Sequence, residues 1–146
     1  MGIRAAPTAE LLLDNCKVPK EDLLGEEGMG FIDALKTSDL GRISIGAQCI
    51  GLSKAATDDA IAYAKERVQF GQPIAEFQGI QFMIADMAIA IEAMESLTYH
   101  AAWLIDQGKE VTKEAAIAKV FASEASHRVC HRAVQIFGGS GYPTDF

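Results

Sequence analysis

The sequence predicts a mainly α fold, an up-and-down bundle of three long helices preceded by a short β segment. Three observations carry it. Almost no proline interrupts the chain after residue 30, with Pro73 the first to do so. Apolar residues then recur in steps of four and three, and glycines fall where those periodic stretches stop.

From Glu10 to Cys16 the chain is short and apolar, and Lys17-Val18-Pro19 stops it, which predicts a strand. Gly25, Gly28 and Gly30 mark a loop, and a long helix follows. Phe31, Leu35, Ile45, Leu52, Ala56 and Ala60 are its expected inner face. Gly41, Gly46 and Gly51 each weaken that helix by about 1 kcal/mol relative to alanine, so they point to close packing or, less simply, to room for a ligand. Arg67 to Pro73 is a turn between antiparallel helices, since Gly71 accepts positive φ and Pro73 resists helix continuation.

In the second helix Ile80, Ile84, Met87, Ile91, Met94, Thr98, Ala101 and Ile105 form a seam suited to a shallow crossing angle. Gly108 suits its left-handed cap. A third helix reopens at Thr112, with an inner face of Ala115, Ala118, Ala122, Ala125, Val129, Ala133 and Ile136, and Gly138-Gly139 ends it. Three such helices leave an apolar face for a fourth, from another part of a chain or a second subunit, so a homo-oligomer is expected.

Composition narrows the function. The 146 residues hold 13 Lys and Arg against 20 Asp and Glu, a net charge of −7, which argues against a nucleic-acid surface. No apolar run reaches the length of a membrane span, and no signal peptide is visible at Met1 to Arg4. Cys16, Cys49 and Cys130 lack the spacing of a zinc site or a disulfide framework, and inert reduced thiols are expected. Glu124 and His127 have the Glu-x-x-His spacing of a di-metal bundle, but one such motif is not a site, so no metal is assigned. Spacing gives no nucleophilic triad.

Two stretches can hold a ligand. Arg67, Gln69 and Phe70 offer a forked cation, an amide and a ring within one turn, although a surface arginine explains them more simply. Gln135-Ile136-Phe137-Gly138-Gly139-Ser140-Gly141 could turn backbone amides to an anion, although an ordinary helix stop is the simpler reading, because no strand precedes and no helix follows.

Taken together, Gly41-Arg42-Ile43, Glu66-Arg67-Val68-Gln69-Phe70-Gly71, Gln78 and Gln135 through Tyr142 resemble the acyl-CoA dehydrogenases. Met1-Gly2-Ile3-Arg4, Val18-Pro19, Gly28-Met29-Gly30-Phe31 and Lys113-Glu114-Ala115 extend the similarity over almost the whole chain. The resemblance implies that residues 1–24 end a middle β domain and 25–146 form the carboxyl-terminal helical-bundle domain. It implies FAD as cofactor, with Arg67 and Phe70 against the FAD of a neighbouring subunit, Gln69 and Gln78 nearby, and Gln135, Gly138 and Gly139 at its adenosine end. This reverses the simpler reading of both stretches. Asp39 and Arg42 match an Asp-x-x-Arg that family members place against acyl-CoA.

The implied reaction is α,β-dehydrogenation of an acyl-CoA thioester, with an electron-transferring flavoprotein as acceptor. The implied compartment is the cytoplasm in a bacterium or the mitochondrial matrix in a eukaryote. The sequence stops at Thr144-Asp145-Phe146, ahead of the Tyr-Glu-Gly-Thr segment that carries the family's usual glutamate, and the alternative position on the first helix is Gly41. No catalytic residue is therefore assigned, and no dehydrogenation by this chain alone is expected. The rival function is a noncatalytic helical oligomerisation module.

Overall fold

The computed structural model describes residues 5–143, so the Met1–Arg4 match and the terminal Thr144 to Phe146 lie outside the described residues. The chain divides into two units, residues 1–33 and 34–146.

In the first unit the strand expected over Glu10–Cys16 does not form. Leu11, Leu12 and Leu13 are 83 to 86% exposed. A strand is held by the ladder it makes with a neighbour, and none of the described residues of this unit offers one. A short apolar stretch is compatible with a strand, but local preference alone does not supply the partner. One short 3₁₀ turn, Lys20–Asp22, follows Pro19. Gly25 has φ +75° and lies where a Cβ would come within 2.7 Å of an Asp33 carboxylate oxygen, so two requirements select glycine there.

Three helices dominate: α1 (Gly30–Glu66), α2 (Gln78–Asp106) and α3 (Thr112–Phe137). Met87 on α2 packs with Ala60 and Ala64 of α1, while Met94 packs with Ile50, so as α1 advances α2 retreats. Val129 and Ala133 of α3 join the first group and Ala122 and Ala125 the second, which makes α3 antiparallel to α2. The order is up, down, up.

The α2 seam is as expected: Met87, Ile91, Met94, Thr98 and Ala101 are buried, with Ile80, Ile84 and Ile105 half-buried at its ends. All seven inner residues expected of α3 are buried, and Ser126 joins them. The α1 face is a correction. Phe31, Leu35, Ile45 and Leu52 are exposed and Ala56 is half-buried. The row that turns inward is Gly46, Ile50, Ser53, Thr57, Ala60 and Ala64. Small side chains let the helices approach, so size rather than hydropathy selected the face. Gly46 shows this best: a Cβ there would lie 2.8 Å from Thr98 Oγ1 and 3.2 Å from its Cγ2.

The α1–α2 turn is a tight hairpin. Strands β1 (Val68–Gln69) and β2 (Gln72–Pro73) pair antiparallel, with Gln69 opposite Gln72. The two linking residues, Phe70 and Gly71, both have positive φ, +54° and +84°, as a type I′ hairpin turn requires. A 3₁₀ turn, Ile74–Glu76, leads into α2.

Helix α2 ends as predicted, in a Schellman motif. Gly108, at φ +68°, donates to the Ile105 carbonyl at 2.8 Å, and Lys109 donates to that of Leu104 at 3.1 Å. Ion pairs link the helices at Lys54–Glu95 (2.5 Å) and Asp86–Arg132 (2.7 Å). Leu35, Leu40 and Leu52 on α1, Phe82 and Ile89 on α2, and Val120 on α3 remain exposed. No helix among the described residues is long and apolar enough to cross a membrane.

Candidate functional site

The hairpin after α1 and the glycine turn after α3 meet because α1 and α3 run the same way and end together. Between them lies an open cleft of about 410 Å³, lined by Arg67, Gln69, Tyr63, Ile74, Ile136, Phe137 and Gly138 through Ser140. Residues 67–69 and 138–139, some seventy positions apart in sequence, thus form one surface.

Local chemistry builds each wall. Gly138 has φ +59° and ψ −130°, and its N–H closes α3 by donating to the carbonyls of Val134 and Gln135. A side chain would be strained there, and no neighbouring group lies within 4 Å of where a Cβ of Gly138 or Gly139 would stand, so the backbone faces open space. On the other wall the Arg67 N–H donates to the Tyr63 carbonyl at 2.9 Å, and Ile74 donates to the Arg67 carbonyl at 2.8 Å, which fixes the arginine's backbone between helix and hairpin.

Tyr63 and Ser140, not singled out from sequence, join the two walls. The Tyr63 hydroxyl donates to Ser140 Oγ at 3.3 Å, and its ring lies 4.6 Å from that of Phe137. Tyr63 stands one helical turn before Arg67, a spacing that could have flagged it, but Ser140 is found only by folding the chain.

Phe70, Gln78 and Gln135 do not line this cleft. Phe70 is 94% exposed at the hairpin tip, its ring edge-on to Phe77 at 6.2 Å. Gln78 opens α2, and Gln135 is exposed on the last turn of α3.

Asp39 and Arg42 do come together, as an ion pair one turn apart on α1. They stand near the other end of that helix. Twenty-four residues separate Arg42 from Glu66, the last residue of α1, which at about 1.5 Å per residue puts the two sets about 36 Å apart.

Elsewhere, Glu124 and His127 lie on the exposed face of α3, the glutamate 4.0 Å from Arg128. Cys16 is exposed, and Cys49 and Cys130 are half-buried. Burial pushes the Cys49 thiol above its ordinary value, opposed by the charge of Lys119 and a hydrogen bond with Ser126.

The chain matches the family described as acyl-CoA dehydrogenase, C-terminal domain, over residues 28–146. It belongs to the acyl-CoA dehydrogenase family. It is 50% identical over 145 residues to the mitochondrial short-chain specific acyl-CoA dehydrogenase of Rattus norvegicus, covering 99% of this chain and 35% of that protein. It is 50% identical over 146 residues to the caffeyl-CoA reductase-Etf complex subunit CarC of Acetobacterium woodii, covering all of this chain and 38% of that one. The structure of butyryl-CoA dehydrogenase from Megasphaera elsdenii superposes with a TM-score of 0.87 at 51% identity, over 88% of this chain and 34% of that one. The chain therefore spans about a third of the length of these relatives.

Proposed function

We propose that this chain is the carboxyl-terminal bundle part of an FAD-dependent acyl-CoA dehydrogenase, and that it supplies contacts to both FAD and acyl-CoA. Residues 1–24 are read as the end of the middle β domain and 25–146 as the bundle. The observation that carries the reading is the cleft that unites Arg67 and Gln69 with Gly138 and Gly139. It fits a dinucleotide: a forked guanidinium for phosphate, an amide, aromatic rings, and glycine backbone without side chains in the way.

Phe70 supports the same reading. A non-glycine residue in the left-handed region costs on the order of 1 kcal/mol or more, yet this ring is almost wholly exposed. The fold gains little burial from it, so a ligand or neighbouring subunit is the reason offered for its retention. From the family resemblance, Gln78 is assigned to the same cofactor near Arg67 and Phe70, and Gln135 to its adenosine end.

Bound FAD would accept the β hydrogen of the thioester as hydride while a base removes the α proton. This chain's own residues bind and orient. Arg67 and Gln69 hold the cofactor's polar middle, and the Gly138–Gly139 backbone meets its adenosine end. Asp39 and Arg42 serve the acyl-CoA. Gly41 stands at the family's alternative position for the glutamate and offers no carboxylate, so no base is assigned within the chain.

The two sets lie about 36 Å apart along α1, and a homo-oligomer with FAD shared between subunits accommodates that spacing. Electrons would pass on to an electron-transferring flavoprotein, in keeping with the Etf complex named for the A. woodii relative. The compartment would follow the source, cytoplasm in a bacterium and mitochondrial matrix in a eukaryote.

Reconstitution tests the reading. The purified chain, incubated with FAD and passed through a desalting column, should retain flavin colour, and Arg67→Ala or Gly138→Val should lose it. A chain that assembles but retains no flavin would instead favour the noncatalytic oligomerisation module.

A further inference from the structure

Asp39 and Arg42 were read as a pair of acyl-CoA contacts, but the structure gives Asp39 a different neighbourhood. One carboxylate oxygen takes the Arg42 guanidinium, one turn on. The other accepts the hydroxyl of Thr112 at 2.6 Å, from a residue 73 positions away that opens α3. The Asp39 side chain is only 13% exposed, whereas that of Arg42 is 36% exposed.

Helix α3 has Val111 at its N-cap and no side-chain cap bond of its own. The Asp39 carboxylate thus sits at the first turn of α3, where the helix dipole favours negative charge. Guanidinium, hydroxyl and helix terminus together hold it in place. Beside this junction lies a cleft of about 360 Å³ whose charged and polar walls are Lys36, Lys109, Asp39, Glu110 and Thr112. A phosphate-bearing thioester is drawn to such lysines but repelled by a bare carboxylate. An Asp39 engaged on both oxygens repels it less and still aims Arg42, which has five N–H donors and uses one corner on Asp39.

We infer that Thr112 is a positioning residue for acyl-CoA: its hydroxyl fixes Asp39, and Asp39 orients Arg42 toward the ligand. This rests on the reading of Arg42 as an acyl-CoA contact. Asp39 then acts through Arg42 rather than by touching the ligand.

The test is calorimetric titration of the full chain with butyryl-CoA. Thr112→Val should weaken binding about tenfold, as expected for loss of one hydrogen bond to a charged group. Thr112→Ser, which keeps the hydroxyl, should remain within about twofold of the parent. Asp39→Asn combined with Thr112→Val should bind no more weakly than Asp39→Asn alone, because the two act in series. Arg132→Gln, which breaks the α2–α3 ion pair instead, controls for general loosening and should leave affinity unchanged.

Equal losses in the valine and serine variants would make the role one of packing and overturn the inference. Unchanged binding by Thr112→Val beside a clear loss in Arg42→Gln would overturn it while leaving the acyl-CoA reading intact. Absence of butyryl-CoA binding by the parent chain would remove that reading and the inference with it. Should Thr112→Val fail to fold by circular dichroism, Asp39→Asn decides: undiminished affinity there overturns the inference.

Discussion

Gly46→Ala is a direct probe of how α1 meets α2. Alanine within a helix is better than glycine by about 1 kcal/mol, which favours the variant. Against this, the new Cβ would lie 2.8 Å from Thr98 Oγ1, 3.2 Å from Cγ2 and 3.6 Å from Cβ. Thr98 is buried and branched at Cβ, so it cannot swing its hydroxyl aside as a long flexible side chain would. Overpacking of this kind costs about 1–3 kcal/mol, and the net expectation is a loss of about 1 kcal/mol, or about 3 °C in Tm for a chain of this size. Urea unfolding followed by circular dichroism measures it.

The decisive measurement is the same change in a Thr98→Ala background. With hydroxyl and methyl gone the clash disappears and the helix preference remains, so Gly46→Ala should there stabilise by about 1 kcal/mol. Gly41 and Gly51, whose Cβ positions are open, provide the outside standard. Each should gain up to about 1 kcal/mol as alanine. A Gly46→Ala variant equal to these two, or one whose effect is the same in both Thr98 backgrounds, refutes the reasoning.

Further outcomes are expected. Ser53 Oγ and Thr98 Oγ1 are buried without a hydrogen-bond partner, so Ser53→Ala and Thr98→Val should each raise stability by about 1 kcal/mol in the same urea assay. Phe70→Gly should relax the positive φ and hold or raise Tm, while reducing the flavin retained after desalting; a drop in Tm with undiminished flavin would mean that the ring serves the fold. Because burial raises the Cys49 pKa, its thiolate is disfavoured in the folded state. The stability it contributes is full below the ordinary thiol pKa and declines as pH rises through the folded value, so Cys49→Ser should flatten the alkaline limb of a Tm-against-pH curve. Alkylation at mildly alkaline pH, read by mass spectrometry, should mark the exposed Cys16 before Cys49.

Much of this molecule is written locally. The four-three seam of α2, the alanine face of α3, and the left-handed glycine at 108 all follow from helix geometry acting on neighbours in sequence, and the structure has them where the pattern puts them. The inner face of α1 does not follow. Phe31, Leu35, Ile45 and Leu52 are exposed, because what fixes the face is how closely Gly46 and Ala60 let the other helices approach, and that depends on α2 and α3. The strand expected at Glu10–Cys16 fails for a related reason, since its partner is not given by its own residues.

The site divides in the same way. Sequence motifs marked Arg67, Gln69, Gly138, Gly139, Asp39 and Arg42, because a forked cation, glycines and an i,i+3 charge pair are visible along the chain. Only the parallel alignment of α1 and α3 brings Arg67 to the glycine turn, adds Tyr63 and Ser140 as the link between them, and sets Thr112 against Asp39. Type and spacing are properties of the chain; contact between residues some seventy positions apart is a property of the packed helices, and it decides which marked residues can act together.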